Sequence, residues 1–242
     1  MQGLRITCAL LFASARLASA GPGYVNLSWI DCGASGAQNR AFACNTNSGS
    51  FALVGSFLAP SGVIAASGIV STLHIQSTGS SLPSWWGMAP GLCRAGSLTA
   101  SFDFTSNFQC LDYWQGGASG SIVMDFPAAN RTMLSVAAAL PAGSPLITSI
   151  TEGDEVYAFK AVVDAAKTTG PGACAGCQTG VSICVSSITI TQPAGTPGGD
   201  LRVSLPAARN FATWQGGNLF PYVCDATPAR NTTWGSIKTL YR

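Results

Sequence analysis

A single histidine, His74, occurs in the 242 residues, so any Ser-His-Asp or Cys-His mechanism has to run through it. His74 shares the parity of Thr72 and Gln76 and opposes Leu73 and Ile75, which predicts a solvated side chain on the outer face of a strand. The chain has no Gly-x-Ser-x-Gly elbow and no His-Glu-x-x-His pair, so histidine-based catalysis is not expected. Carboxylate chemistry has little more to work with. The only glutamates, Glu152 and Glu155, sit together in Glu152-Gly153-Asp154-Glu155, which reads as a turn before a strand. Glycoside hydrolysis needs two carboxyl groups on opposite walls of a cleft, about 5 Å or 6.5–9.5 Å apart, and such pairs come from different elements. The turn is therefore read as a solvated acidic loop. Its oxygens suit Ca²⁺, but one loop falls short of the roughly six to eight ligands that ion takes.

Cys174-Ala175-Gly176-Cys177 is the sharpest local motif. A redox pair of this spacing needs a helix start to lower a thiol pKa, whereas Gly170-Pro171-Gly172 precedes it and a strand pattern follows. A structural zinc site needs four ligands, and Cys174, Cys177 and Cys184 offer three. A cluster of loop-stapling disulfides is the expected outcome. Gly116-Gly117-Ala118-Ser119-Gly120 has neither the lysine nor the helix of a phosphate-cradling loop. Trp85-Trp86 follows Leu82-Pro83-Ser84 in a predicted loop. Adjacent side chains of an extended segment point opposite ways, which would leave one flat ring outside, where sugar rings stack; burial of both rings under a loop is the alternative, and the favoured one. Trp85 and Trp86 are thus the candidate binding residues. No residue qualifies as catalytic, and no cofactor or metal is called for.

The elements that would position these groups follow from the pattern. Residues 1–20 read as a secretory leader: Arg5 lies before an apolar run, and Ala18-Ser19-Ala20 offers a cleavage site ahead of Gly21-Pro22-Gly23. The run is far shorter than the roughly 20 residues of a membrane span. Loss of Arg5 and Arg16 with the leader brings the 12 basic residues level with the 10 acidic ones. A neutral chain without a basic run has no electrostatic footprint for nucleic acid or an anionic membrane. Charged residues make up 9% of the chain, which suits strands with Ser- and Thr-rich outer faces and a surface that packs against something.

Cys8 falls in the leader. Cys32, Cys44, Cys93, Cys110, Cys174, Cys177, Cys184 and Cys224 remain, an even set that in an exported chain predicts disulfides. Short loops close most readily, so Cys32–Cys44 is the expected pair. Cys93–Cys110 is second, against which a straight strand between them would hold its ends about 25 Å apart. The last four stay unassigned.

Residues 21–242 read as one all-β domain, an antiparallel sandwich of jelly-roll type. Period-two alternation recurs in Val25/Leu27/Trp29, Phe51/Leu53/Phe57, Ile69/Leu73/Ile75, Leu98/Ala100/Phe102/Phe104, Ile122/Met124/Phe126, Leu134/Val136/Ala138 and Tyr157/Phe159/Ala161/Val163. Gly- and Pro-rich turns separate these runs. In 181–191 the apolar parity changes from Val181, Ile183 and Val185 to Ile188 and Ile190, which predicts a β-bulge near Ser186-Ser187. Thr233 is placed to cap a short tail helix. Trp114-Gln115-Gly116-Gly117 recurs as Trp214-Gln215-Gly216-Gly217 and reads as a reused corner, a core tryptophan followed by a tight turn. Sequons occur at Asn26, Asn130 and Asn231.

Trp29-Ile30-Asp31-Cys32-Gly33, the run from Ala158-Phe159-Lys160 to Cys174-Ala175-Gly176-Cys177, and the tail from Thr233-Trp234-Gly235 to Tyr241-Arg242 carry a resemblance. On these residues the chain resembles a set of uncharacterised exported bacterial proteins. The resemblance implies export and no mechanism. The expectation is an exported, non-enzymatic domain, secreted, at the cell surface or in the periplasm, with a structural or interaction role and a glycan or another extracellular protein as partner. The alternatives are a carbohydrate-binding module using Trp85 or Trp86, and a carboxylate-dependent hydrolase.

Overall fold

The computed structural model describes residues 24–106, 108–204, 209–217 and 224. The leader, the tail helix capped by Thr233 and the sequon at Asn231 lie outside them. Eleven strands are present among the described residues: β1 Tyr24–Trp29, β2 Asn39–Arg40, β3 Ser50–Leu58, β4 Gly68–Ser77, β5 Leu98–Ser101, β6 Ser119–Ala128, β7 Arg131–Ala139, β8 Glu155–Asp164, β9 Val181–Thr191, β10 Leu201–Val203 and β11 Phe211–Trp214. They form a four-stranded sheet, β1-β3-β8-β5, and a seven-stranded sheet, β2-β11-β9-β4-β7-β6, with β10 paired to β9. All pairings are antiparallel except β2 with β11. The protein is an all-β, two-sheet sandwich. No helix of the described residues is long and apolar enough to cross a membrane.

The alternation places the core where the sequence puts it. Leu53 and Phe57 of one sheet, with Ile69, Leu73, Leu134, Val136, Ile183 and Val185 of the other, are buried in a single cluster. In the β4–β9 ladder Thr72 pairs with Ser187 while Leu73 pairs with Val185, so Ser186 is the extra residue. This is the bulge that the parity change predicts, and it returns Ile188 and Ile190 to the core.

Three strands depart from the pattern. The strand expected over 97–104 ends at Ser101, and Phe102 and Phe104 stay buried in the following coil, Phe104 stacked on Tyr157 at 4.1 Å. Phe126 is 43% exposed, because the β6–β7 register slips between Asp125 and Ala128 and breaks its alternation with Ile122 and Met124. β1 is buried on both faces, Asn26 and Ser28 included. Leu27 N–H donates to the Arg209 carbonyl (2.7 Å) and Trp29 bridges to Ala37, so chain covers this strand from the side opposite β3. Asn26 is therefore an internal hydrogen-bonding residue and not an exposed glycan acceptor.

The eight cysteines among the described residues are paired: Cys32–Cys110, Cys44–Cys177, Cys93–Cys174 and Cys184–Cys224. Neither Cys32–Cys44 nor Cys93–Cys110 forms. Sequence separations are 78, 133, 81 and 40 residues, because sheet pairing brings distant segments together and outweighs local loop closure.

Candidate functional site

The two sharpest motifs meet. Ser84–Trp86 forms a 3-10 turn, and it docks on the loop Cys174-Ala175-Gly176-Cys177. Trp85 N–H donates to the Ala175 carbonyl at 2.9 Å and Ser84 Oγ to the same oxygen at 3.2 Å. Gly176 has a φ of +100°, and a Cβ there would collide with the Pro83 ring. Glycine is what permits this approach. Cys174 bonds Cys93 and Cys177 bonds Cys44, so the motif ties two different segments and holds no thiol pair.

Because the segment turns and is not extended, both tryptophans face inward. Trp85 and Trp86 are 0% exposed. This is the burial under a loop that the sequence reading favours, and neither residue offers a face to a sugar. Both pack on Trp214, with centroid separations of 4.7 and 5.5 Å, and Trp214 also contacts Trp29, Phe42 and Phe51. The Trp214 indole N–H donates to the Cys177 carbonyl at 2.6 Å. The Arg94 guanidinium lies over the Trp85 ring, 3.7 Å from the centroid, and is fully buried. Arg94 donates to the carbonyls of Ala166 (2.8 Å), Trp85 (2.9 Å) and Asp164, and pairs with the Asp164 carboxylate at 3.7 Å. Burial lowers its pKa to about 10, with Asp164 opposing the shift, so it stays charged at neutral pH. Sequence reading missed Arg94. The available signal was its isolation, as the only Asp, Glu, Lys or Arg between Arg40 and Asp103.

The reused corner is a reused turn. Gln115 and Gly116 have φ of 47° and 72°, Gln215 and Gly216 of 53° and 67°. In each case the N–H of the fourth residue returns to the tryptophan carbonyl, at 2.7 Å for Gly117 and 3.1 Å for Gly217. Two successive positive φ values closed by this bond define a type I′ turn. Both tryptophans are buried, Trp114 donating to the Ala158 carbonyl at 3.1 Å.

A second cluster lies at one end of the four-stranded sheet. Asp31 Oδ1 accepts from the Cys32 N–H (2.7 Å), the Gln109 N–H (3.4 Å) and the Tyr157 hydroxyl. The Tyr157 hydroxyl in turn accepts from the Gln109 and Cys110 N–H groups at 2.9 and 3.0 Å. Burial, and then the hydrogen bond to Asp31, raise the Tyr157 pKa well beyond its ordinary value. This network clasps the Cys32–Cys110 bridge. Glu155 sits beside it with its carboxylate turned inward, Oε1 accepting from Asn26 Nδ2 (3.0 Å) and Ser56 Oγ (2.8 Å). Cys32, Cys110 and Glu155 come within 4.8 Å of one another, but both sulfurs are in the disulfide and cannot serve as thiolate ligands.

The acidic turn divides accordingly. Glu152 is exposed, Asp154 closes its own turn by accepting from the Thr151 N–H at 2.9 Å, and Glu155 is half-buried as the first residue of β8. The expected fully solvated loop thus holds for Glu152 and not for Glu155. Asp154 and Glu155 both line a shallow groove with Ser35, Gln109 and Leu111, but they are neighbours on one wall and not partners across it. A second groove, about 360 Å³, runs between residues 111–117 and 140–149. Its carboxylate, Asp112, already accepts from the Trp114 and Gln115 N–H groups at 3.1 Å each.

His74 is on the outer face of β4 as expected but is only 4% exposed. Its ladder neighbours are Met133 and Cys184, and Cys184 is bonded to Cys224. Burial, and then the Arg131 charge, lower its pKa, and neither ring nitrogen finds a partner among the described residues. Among the described residues no nucleophile or carboxylate hydrogen-bonds to this imidazole.

The fold and these clusters define a class, a disulfide-braced two-sheet sandwich whose reactive side-chain types are built into its packing. No protein-family model, curated protein or solved structure matches the chain.

Proposed function

We propose that the chain is an exported domain with a structural or interaction role outside the cytoplasm and no catalytic activity of its own, at the cell surface, secreted or periplasmic. The observation that carries this reading is the set of four long-range disulfides, which form and persist in oxidising compartments and are rare in the cytosol. Support comes also from the residues able to do chemistry. Asp31, Tyr157 and Arg94 are held in hydrogen-bond networks that fix loops to sheets, and His74 is enclosed. The partner on this reading is another extracellular protein. A glycan-binding reading has lost its motivating feature, with both rings of the double tryptophan enclosed.

The experiment is thiol trapping in the expressing cell, with fractionation. Alkylation before lysis should leave the eight cysteines unmodified, with the protein outside the cytoplasm. Cytoplasmic protein with alkylated cysteines overturns the proposal, as does turnover of glycan or ester substrates that is lost on Glu155→Gln.

A further inference from the structure

The edges of the two sheets are unequal. β2 has two residues, β10 three and β5 four, and β1 is covered by the Arg209 carbonyl and Ala37. β6 has ten residues and, among the described residues, pairs on one side only. Long open edges are templates for further strand pairing, and proteins usually blunt them with charge or proline. Between Ser119 and Phe126 the only charged residue is Asp125, and Pro127 follows at the end.

Which groups the edge presents follows from the ladder. Leu140 N–H donates to Ser67 and Ser77 N–H to the Asn130 carbonyl, so even-numbered residues of β7 and its flanks bond toward β4. Odd-numbered residues of β7 then bond toward β6, and the register matches odd with odd, Ala139 with Ser119 through Met133 with Asp125. Gly120, Ile122 and Met124 therefore direct their N–H and C=O groups away from the sheet. Val123, between them, is the most exposed large apolar side chain among the described residues, at 55%.

We infer that β6 pairs with β6 of a second copy, antiparallel about a two-fold axis at Val123, joining the two seven-stranded sheets. This names the partner within the interaction role proposed above, and rests on it. The register is self-complementary. Ile122 meets Met124 of the other copy, and even-numbered residues with outward hydrogen-bonding groups face each other. Phe126 comes opposite Gly120, which has no side chain to oppose the ring. The one charge, Asp125, falls opposite the Ser121 hydroxyl, whereas pairing about Asp125 itself would set two carboxylates face to face. Val123 meets its own copy as a non-hydrogen-bonded pair, with Cα atoms about 4.5 Å apart.

That last distance gives the test. Val123→Cys should form a disulfide-linked dimer with oxidised glutathione as oxidant, since the separation falls within disulfide reach. Ser119→Cys, whose symmetry mate would lie about 26 Å away, should not. Val123→Arg, which sets two cations opposite each other at an exposed position, should weaken self-association at least tenfold in sedimentation equilibrium while leaving the circular dichroism spectrum and melting curve unchanged. Protein that stays monomeric at the highest soluble concentration, or Val123→Cys that crosslinks no faster than Ser119→Cys, overturns the inference. A dimer insensitive to Val123→Arg also overturns it. Each of these results leaves export and the disulfides untouched, so this inference can fail while the broader reading stands.

Discussion

The Arg94 guanidinium lies 3.7 Å from the centroid of the Trp85 ring, with three backbone carbonyls in its donor fork and no exposed surface. A cation enclosed this way stabilises only while all its partners stay in place. The same side chain fixes the Ser84–Trp86 turn through the Trp85 carbonyl and the end of β8 through Asp164 and Ala166.

Arg94→Met keeps the volume and removes the donors, leaving three carbonyls bare beside an aromatic cluster. The expected loss is about 2–4 kcal/mol, read as a lower urea midpoint at unchanged slope. Arg94→Lys should recover little of it, because a single ammonium cannot reproduce the planar fork over Trp85.

His74 predicts a pH dependence of stability. Its native pKa lies below the ordinary value near 6.5, so above about pH 7.5 the ring is neutral in both native and unfolded chains and contributes no slope. As pH falls through 6.5 the unfolded chain takes up a proton that the native chain refuses, and stability drops. His74→Met should flatten the stability profile between pH 7.5 and 5 without lowering stability at pH 7.5 by more than about 1.5 kcal/mol. Denaturant titrations at several pH values measure the difference. A native histidine titrating at or above 6.5 by NMR would contradict the assignment.

The repeated turn makes one substitution act with opposite sign at two sites. Gln115 is exposed at a positive φ, so Gln115→Gly should relieve strain and stabilise by about 0.5–1 kcal/mol. Gln215 has the same backbone, but its amide bridges Phe42, accepting from the N–H at 3.1 Å and donating to the carbonyl at 2.7 Å. Gln215→Gly should therefore destabilise, by about 1–2 kcal/mol. Thermal melts of the two variants against the parent decide it.

Non-reducing peptide maps should return the four long-range pairs and no Cys174–Cys177 link. Replacing both Cys44 and Cys177 by Ala, which opens the longest loop, should cost about 2–5 kcal/mol. A map that joins Cys32 to Cys44 would overturn the arrangement around Asp31 and Tyr157.

Much of this molecule follows from sequence alone. Alternation marks β3, β4, β7 and β9 because residues on one strand face feel one environment, and the parity change at Ser186 reports the bulge for the same reason. The Trp-Gln-Gly-Gly corners are legible because a local turn is specified by local residues. What only the tertiary structure decides is where surfaces meet. Disulfide partners, the burial of His74 on an outer face, the enclosure of Trp85 and Trp86, and the covering of β1 all depend on segments far away in the chain. Side-chain parity states which way a residue points. It carries no information about whether distant chain arrives to cover it, because that is set by the packing of whole sheets and loops.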